Sequence, residues 1–402
     1  MIRSPRPTMP RKGVITMIAV LTLSACGTTE SVTRPDASES TRTDRTPSAH
    51  PSSTLTLGRR WVAPGPSDPQ AIAADDRGAV AIGRYGEIVA LDRRGREEWT
   101  LTVAGDGEQT LDPVALSPDV AVVPVTPGRV VAVGRNRGEV RWSAAIQDPV
   151  AVDVDPDHTS AVAVLTFGGR LFLLDNADGS TRWSTQLAFG EQAGPVSVGV
   201  RSSRVVVAWG DVGGSHLQVF DVDSGRELWS AVAPLFSGTP AVTADAVIVS
   251  ENLEVVGRHV RARILRLDLA TGAQVWARRV DGPFLPHLRV TVGHGIAAVV
   301  NVPGTLSALD LETGSLRWSR STRRRQYAAA PTLVGGVIAI PTYGTGLVVI
   351  AAADGTGVRN DAPGPVQTTV IFEGSSAVGR RLYLLGGHSQ DEGEVWMLST
   401  SP

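Results

Sequence analysis

The chain has 402 residues, 42% hydrophobic, 19% charged and 5% aromatic, with 43 Gly and 26 Pro. It can bury a large core, but this density of helix breakers excludes a mainly helical protein and leaves a turn-rich β protein. Its formal net charge of −2 excludes bulk attraction to nucleic acid.

In chain order, Arg3, Arg6, Arg11 and Lys12 precede GVITMIAVLTL at 13–23, an apolar run too short to span a bilayer as a permanent helix. It ends in LSAC at 23–26, which resembles the lipobox of bacterial lipoproteins. That resemblance implies a signal peptide over 1–25 and a lipidated Cys26 as the mature N-terminus. Cys26 is the only cysteine, so no internal disulfide is available. Removal of 1–25 takes four basic and no acidic residues, leaving 34 basic against 40 acidic side chains. Residues 26–56 are rich in Ser, Thr, Pro and charge, too polar to repay the entropy of ordering, and read as a flexible tether. The expected anchor is therefore lipid alone, at the extracytoplasmic face of a cell membrane.

From residue 57 to 402 one phrase recurs. Trp99, Trp142, Trp183, Trp229, Trp276 and Trp318 are spaced by 43, 41, 46, 47 and 42 residues, a period that signals a repeat architecture. Upstream of each lies an alternating apolar segment, such as IVALD at 88–92 or LSALD at 306–310, expected to be a half-buried strand. Between strand and tryptophan a glycine always stands four residues before the ring: Gly95, Gly138, Gly179, Gly225, Gly272 and Gly314. A short hairpin loop needs a residue in the left-handed region, and glycine enters it without a Cβ clash. The preceding Asp92, Asp175, Asp221, Asp268 and Asp310 suit the turn because a carboxylate can accept its backbone N–H groups.

A seventh copy at 347–360 keeps Gly355 but has Ala351 in place of Asp and Arg359 in place of Trp; the second copy has Gly134 in place of Asp. VWMLS at 395–399 is an inner strand with nothing after it, and LGRRWVAPG at 57–65 offers Trp61 with nothing before it. The two halves complete each other, giving eight inner and eight outer strands in a ring. The expected fold is therefore all-β, an eight-bladed propeller of four-stranded antiparallel blades, closed by the N-terminal strand pairing with the C-terminal blade.

The phrase, as in LDLATGAQVW at 267–276 and LDLETGSLRW at 309–318, resembles the repeat of the pyrroloquinoline-quinone-type propellers. That family includes quinone dehydrogenases and the outer-membrane assembly lipoprotein of the BAM complex. The resemblance covers about 57–402. WD repeats are excluded by the lack of any Trp-Asp dipeptide, and kelch repeats because the Gly-Gly pairs do not keep the period.

The resemblance implies two functions. Enzymes of the family bind the quinone on the propeller axis with Ca²⁺, using a vicinal Cys pair and carboxylates. Here there is no cysteine beyond Cys26, no haem-attachment motif, no calcium-loop spacing and no zinc or nucleophile motif among the seven scattered His. The expectation is a non-catalytic scaffold without metal or cofactor, which binds an envelope protein or an anionic ligand. A dehydrogenase or sensor holding pyrroloquinoline quinone and Ca²⁺ is the alternative.

Strand order puts the Asp-to-Gly hairpins on one face of the ring. The connections between blades, and between second and third strands, lie on the other, where functional loops are expected. Phe189, Phe236, Phe284 and Tyr327 follow their tryptophans in these connections, and Phe372 holds a comparable place. They either ring the channel mouth or plug their own blades. Arg258, Arg261 and Arg263, in GRHVRAR at 257–263, and Arg323, Arg324 and Arg325 concentrate on the same face. Such arginines are either a solvated surface or an anion-binding patch.

Overall fold

The computed structural model describes residues 55–111, 113–155, 160–189, 197–211, 214–233, 239–256, 259–283, 289–301, 305–321, 331–342, 346–360, 371–389 and 392–400. The chain divides into two units, Met1–Ser52 and Ser53–Pro402, and all described residues belong to the second. Cys26 and most of the tether lie outside them.

Eight sheets, antiparallel in order of sequence, follow one another along the chain. Blade 1 is typical, with strands Pro69–Ala74, Gly78–Gly83, Glu87–Asp92 and Glu97–Thr102 running from axis to rim. Blades 2 to 7 begin at Gln109, Pro149, Ser197, Ala241, Arg289 and Thr332. Blade 8 comprises Ile371–Val378, Arg381–Ser389 and Glu392–Thr400, and its outer strand is Thr56–Gly65. That strand pairs antiparallel with Glu392–Thr400 from Leu57 opposite Thr400 to Gly65 opposite Gly393, closing the ring.

Each seam between neighbouring blades has its own apolar cluster. One joins Ile82 and Ile88 of blade 1 to Val123 and Val131 of blade 2. Another joins Ala63 and Tyr383 of blade 8 to Ala79 and Leu91 of blade 1. Because a blade is packed on both faces, its third strand is buried on both: Ile88, Val89, Ala90 and Leu91 are all at most 5% exposed. The expected half-buried strand is therefore wrong for this position, and the alternation appears instead in the outer strand, where only Trp99 of Glu97–Thr102 is buried.

The connecting loop expected at 257–263 is also shorter than expected. Strands Ala246–Val256 and His259–Asp268 run on toward it, so Arg261 and Arg263 sit on a strand. The cause is pairing across the long hairpin, which continues to Val256 opposite His259. Phe372 likewise belongs to the innermost strand of blade 8, opposite Gly386, and not to a connection. Blade 7 shows three strands among the described residues, and Arg359–Asn360 pairs parallel with Thr56–Leu57 of blade 8.

Candidate functional site

The repeated phrase builds one face of the ring. In the hairpin of blade 5, Gly272 has φ +74 and its N–H donates to the Asp268 carbonyl at 2.9 Å. Asp268 Oδ1 accepts from the Thr271 amide at 2.8 Å and the Thr271 hydroxyl at 2.6 Å. Between the turn and the tryptophan the ladder skips a residue, so Arg266 faces Trp276 and Leu267 faces Gln274. A bulge re-aims the side chain that follows it, here turning Trp276 out of its own blade. The same skip precedes Trp61, Trp99, Trp142, Trp183, Trp229 and Trp318.

Each re-aimed indole lies on the hairpin of the following blade. Trp61 covers Gly95, Trp99 covers Gly138, Trp142 covers Gly179 and Trp183 covers Gly225; Trp229, Trp276 and Trp318 cover Gly272, Gly314 and Gly355. A Cβ on Gly314 would stand 2.6 Å from the Trp276 ring, so the glycine is needed for close approach as well as for φ. The indole Nε1 donates to a hairpin carbonyl: Arg93, Arg135, Asn176, Val222, Leu269, Leu311 and Ala352, in ring order, all at 2.8–3.0 Å.

Charges on this hairpin face are largely consumed within the protein. Arg135, 4% exposed, makes a bidentate pair across the seam with Asp75, at 2.7 and 3.0 Å. It directly follows Gly134, where blade 2 lacks the repeat's aspartate. Arg266 bridges Asp245 at 2.6 Å and Glu312 of blade 6 at 2.8 Å. The hydrogen bond from Arg317 and those from Thr313 hold Asp310 far below the ordinary carboxylate range. The Thr271 contacts lower Asp268 likewise.

At the axis, the register places Ala73, Ala115, Asp153, Gly199, Ala241, Thr291, Thr332 and Ser376 at equivalent positions of the eight inner strands. Small residues are required where eight strands converge. Asp153 Oδ2 accepts from the Val200 amide of blade 4 at 2.8 Å, and Ser376 does the same for Ala74 of blade 1 at 3.0 Å. Burial pushes Asp153 above its ordinary value, against the pull of Arg201. This donor set does not fit a quinone-bound Ca²⁺. The ring has one carboxylate, already engaged, and no group of three His, Cys, Asp or Glu converges among the described residues.

The opposite, loop face is different in kind at blades 3 and 4. Phe189 lies on Gly169 of the blade 3 turn and stands 5.0 Å from Trp209 of blade 4, whose ring stacks on His216 at 4.9 Å. His216 is paired across the sheet with Val232, which is 68% exposed, and Phe167 at the tip of the blade 3 turn is 70% exposed. Phe167 and Val232 are exposed apolar side chains of the two blades that hold this stack. Phe189 thus plugs the top of its blades; Phe236, Phe284 and Tyr327 lie outside the described residues, as does the side chain of Phe372.

Among the candidate arginines, Arg263 is paired with the buried carboxylate of Glu251, 3% exposed, on the neighbouring strand. It is therefore committed within the fold. Arg258, Arg323, Arg324, Arg325 and the side chain of Arg261 lie outside the described residues. The Trp209–His216 stack carried no signal in the sequence, since neither residue belongs to the repeat.

A sequence profile for the family described as outer membrane protein assembly factor BamB matches residues 52–278 and 260–401. Among solved structures, BamB from Moraxella catarrhalis is similar at 18% identity and TM-score 0.62, over 86% of this chain and 98% of that one. The computationally designed Ika8 protein is similar at 14% identity and TM-score 0.65, over 85% and 99%. The quinohemoprotein alcohol dehydrogenase ADHIIG from Pseudomonas putida HK5 is similar at 12% identity and TM-score 0.59, over 85% and 76%. Likeness at these identities shows the fold. No curated protein sequence matches.

Proposed function

Because the chain belongs to the family of the outer membrane protein assembly factor BamB, we propose that it is an exported lipoprotein scaffold that binds another envelope protein without catalysing a reaction. Lipid on Cys26 anchors it, 26–56 is the tether, and the propeller presents its loop face to the partner. The observation that carries this reading is the contrast between the two faces. The hairpin face commits Arg135, Arg266, Asp268 and Asp310 to partners within their own or the neighbouring blade. The loop face keeps Phe167 and Val232 exposed in the two blades that hold the Phe189–Trp209–His216 stack, apolar side chains suited to a protein-binding patch.

Arg258, Arg261, Arg323, Arg324 and Arg325, without the committed Arg263, supply the second part of the proposal, an anionic surface on the partner. Affinity capture from envelope extracts tests both parts. Phe167→Asp is expected to lose the captured partner at any salt concentration. Charge reversal of Arg323, Arg324 and Arg325 is expected to lose it most strongly at low salt, where charge pairing is least screened. Retention of every partner by both variants contradicts the assignment of this face.

A further inference from the structure

Seven of the eight seams are closed by an indole lying on a hairpin glycine and donating to a hairpin carbonyl. The seam between blades 7 and 8 is built otherwise. The third and outer strands of blade 8, Glu392–Thr400 and Thr56–Gly65, come from opposite ends of the propeller. No turn joins them, so there is no glycine to receive a ring, and blade 7 correspondingly has Arg359 in place of tryptophan.

The seam's own indole comes from the other side. Trp396, on the third strand of blade 8, is 7% exposed and packs with Leu57, Val334, Val349 and Leu384. Its Nε1 is buried with no hydrogen-bond partner among the described residues, a cost that Trp209 shares but none of the seven clasping indoles carries. The Arg59 guanidinium of the closing strand covers the ring at 5.7 Å. Backbone links across the seam among the described residues include the parallel pairing of Arg359–Asn360 with Thr56–Leu57 and the Gly335 amide bonded to the Gly379 carbonyl at 3.2 Å.

We infer that the propeller is a split ring, which opens at the seam between blades 7 and 8 before any other, with the N-terminal segment joined at the split. The closing strand stays with blade 8 in this motion. It is held there by its antiparallel ladder and by Trp61, which clasps blade 1. Thr56, where the chain enters the propeller, lies in the weak pairing itself, so tension on the N-terminal side loads that pairing directly. Opening uncovers Trp396, Leu57 and Val349, an apolar surface absent from the closed ring. Local opening is governed by the contacts broken, and among the described residues this seam has no indole lying on a hairpin glycine.

Thiol accessibility tests the inference on the full chain. Ala339 and Ala298 occupy equivalent positions in the second strands of blades 7 and 6, both 0% exposed; Ala339 faces the split seam and Ala298 faces a clasped one. Labelling of Ala339→Cys and Ala298→Cys under native conditions is read by peptide mass spectrometry, which separates each site from Cys26. Ala339→Cys is expected to react at least tenfold faster at matched urea midpoints. Equal rates, or a faster Ala298→Cys, overturn the inference. Trp396→Phe in the Ala339→Cys background removes the unpaired N–H while keeping an aromatic core and is expected to slow labelling; acceleration contradicts the inference. Amide exchange of the unsubstituted chain gives an independent reading. The Gly335 amide is expected to exchange faster than the Leu311 amide of the blade 6 hairpin, which donates to the Gly295 carbonyl within its own blade, and slower exchange counts against the split.

Discussion

A single tryptophan in this protein serves two blades. Trp276 fills the seam between blades 5 and 6 with its ring and satisfies the Leu311 carbonyl with its N–H. Trp276→Phe keeps most of the packing and leaves that carbonyl without its donor, so a loss of about 1–3 kcal/mol is expected. Trp276→Ala also opens a cavity, and about 3–5 kcal/mol is expected. Urea unfolding at neutral pH separates the two. The carboxylates make opposite predictions for acid. Asp310 is lowered in the fold, so its contribution is present above the ordinary value of 3.8 and is lost as pH falls below it. Asp153 is raised by burial, so the fold takes up its proton more readily than the unfolded chain does, and stability increases as pH falls through its raised value toward 3.8. Asp153→Asn is expected to flatten the stability profile over the window above 3.8, while Asp310→Asn changes only the limb below 3.8. A profile for Asp153→Asn that parallels the unsubstituted protein contradicts the burial argument.

At the scale of the element, the hairpin shows what a sequence can and cannot reveal. Aspartate, glycine and tryptophan at fixed spacing were legible because each answers a local demand: a turn acceptor, a left-handed φ and a large ring. The bulge before each tryptophan left no trace, since one skipped ladder position asks for no particular residue type: Val275 fills it in blade 5 and Arg317 in blade 6. Without the bulge the destination of the ring was invisible, and so was the second reason for each glycine. Two substitutions at similar φ separate the reasons. Gly107 has φ +80 with nothing within 4 Å of an added Cβ, whereas Gly314 has φ +68 with the Trp276 ring at 2.6 Å. Gly107→Ala is expected to cost about 1–2 kcal/mol, the backbone term alone. Gly314→Ala is expected to cost clearly more and to shift Trp276 fluorescence. The burial of the third strand on both faces was missed for a related reason. Alternation describes one sheet, and only the radial stacking of sheets decides what the second face meets.

For the whole molecule, closure was legible because Trp61 had no strand before it and residues 395–399 had no strand after them. Pairing of Thr56–Gly65 with Glu392–Thr400 realises that closure. Deleting 57–65 is expected to abolish cooperative unfolding, because blade 8 loses its rim and blade 1 loses the Trp61 clasp; deleting an equal length from 30–45 is expected to leave the unfolding midpoint unchanged. The docking face was legible only in part. Strand order assigned the loops to one side, but the Phe189–Trp209–His216 stack joins blades 3 and 4 through Trp209 and His216, which lie outside the repeat. Binding of an envelope protein by the loop face is tested by placing a photocrosslinking residue in intact cells at Phe167 on the loop face or at Arg94 on the hairpin face. A discrete crosslinked envelope protein is expected from position 167 and none from 94. Capture from 94 alone, or from neither position, would contradict it.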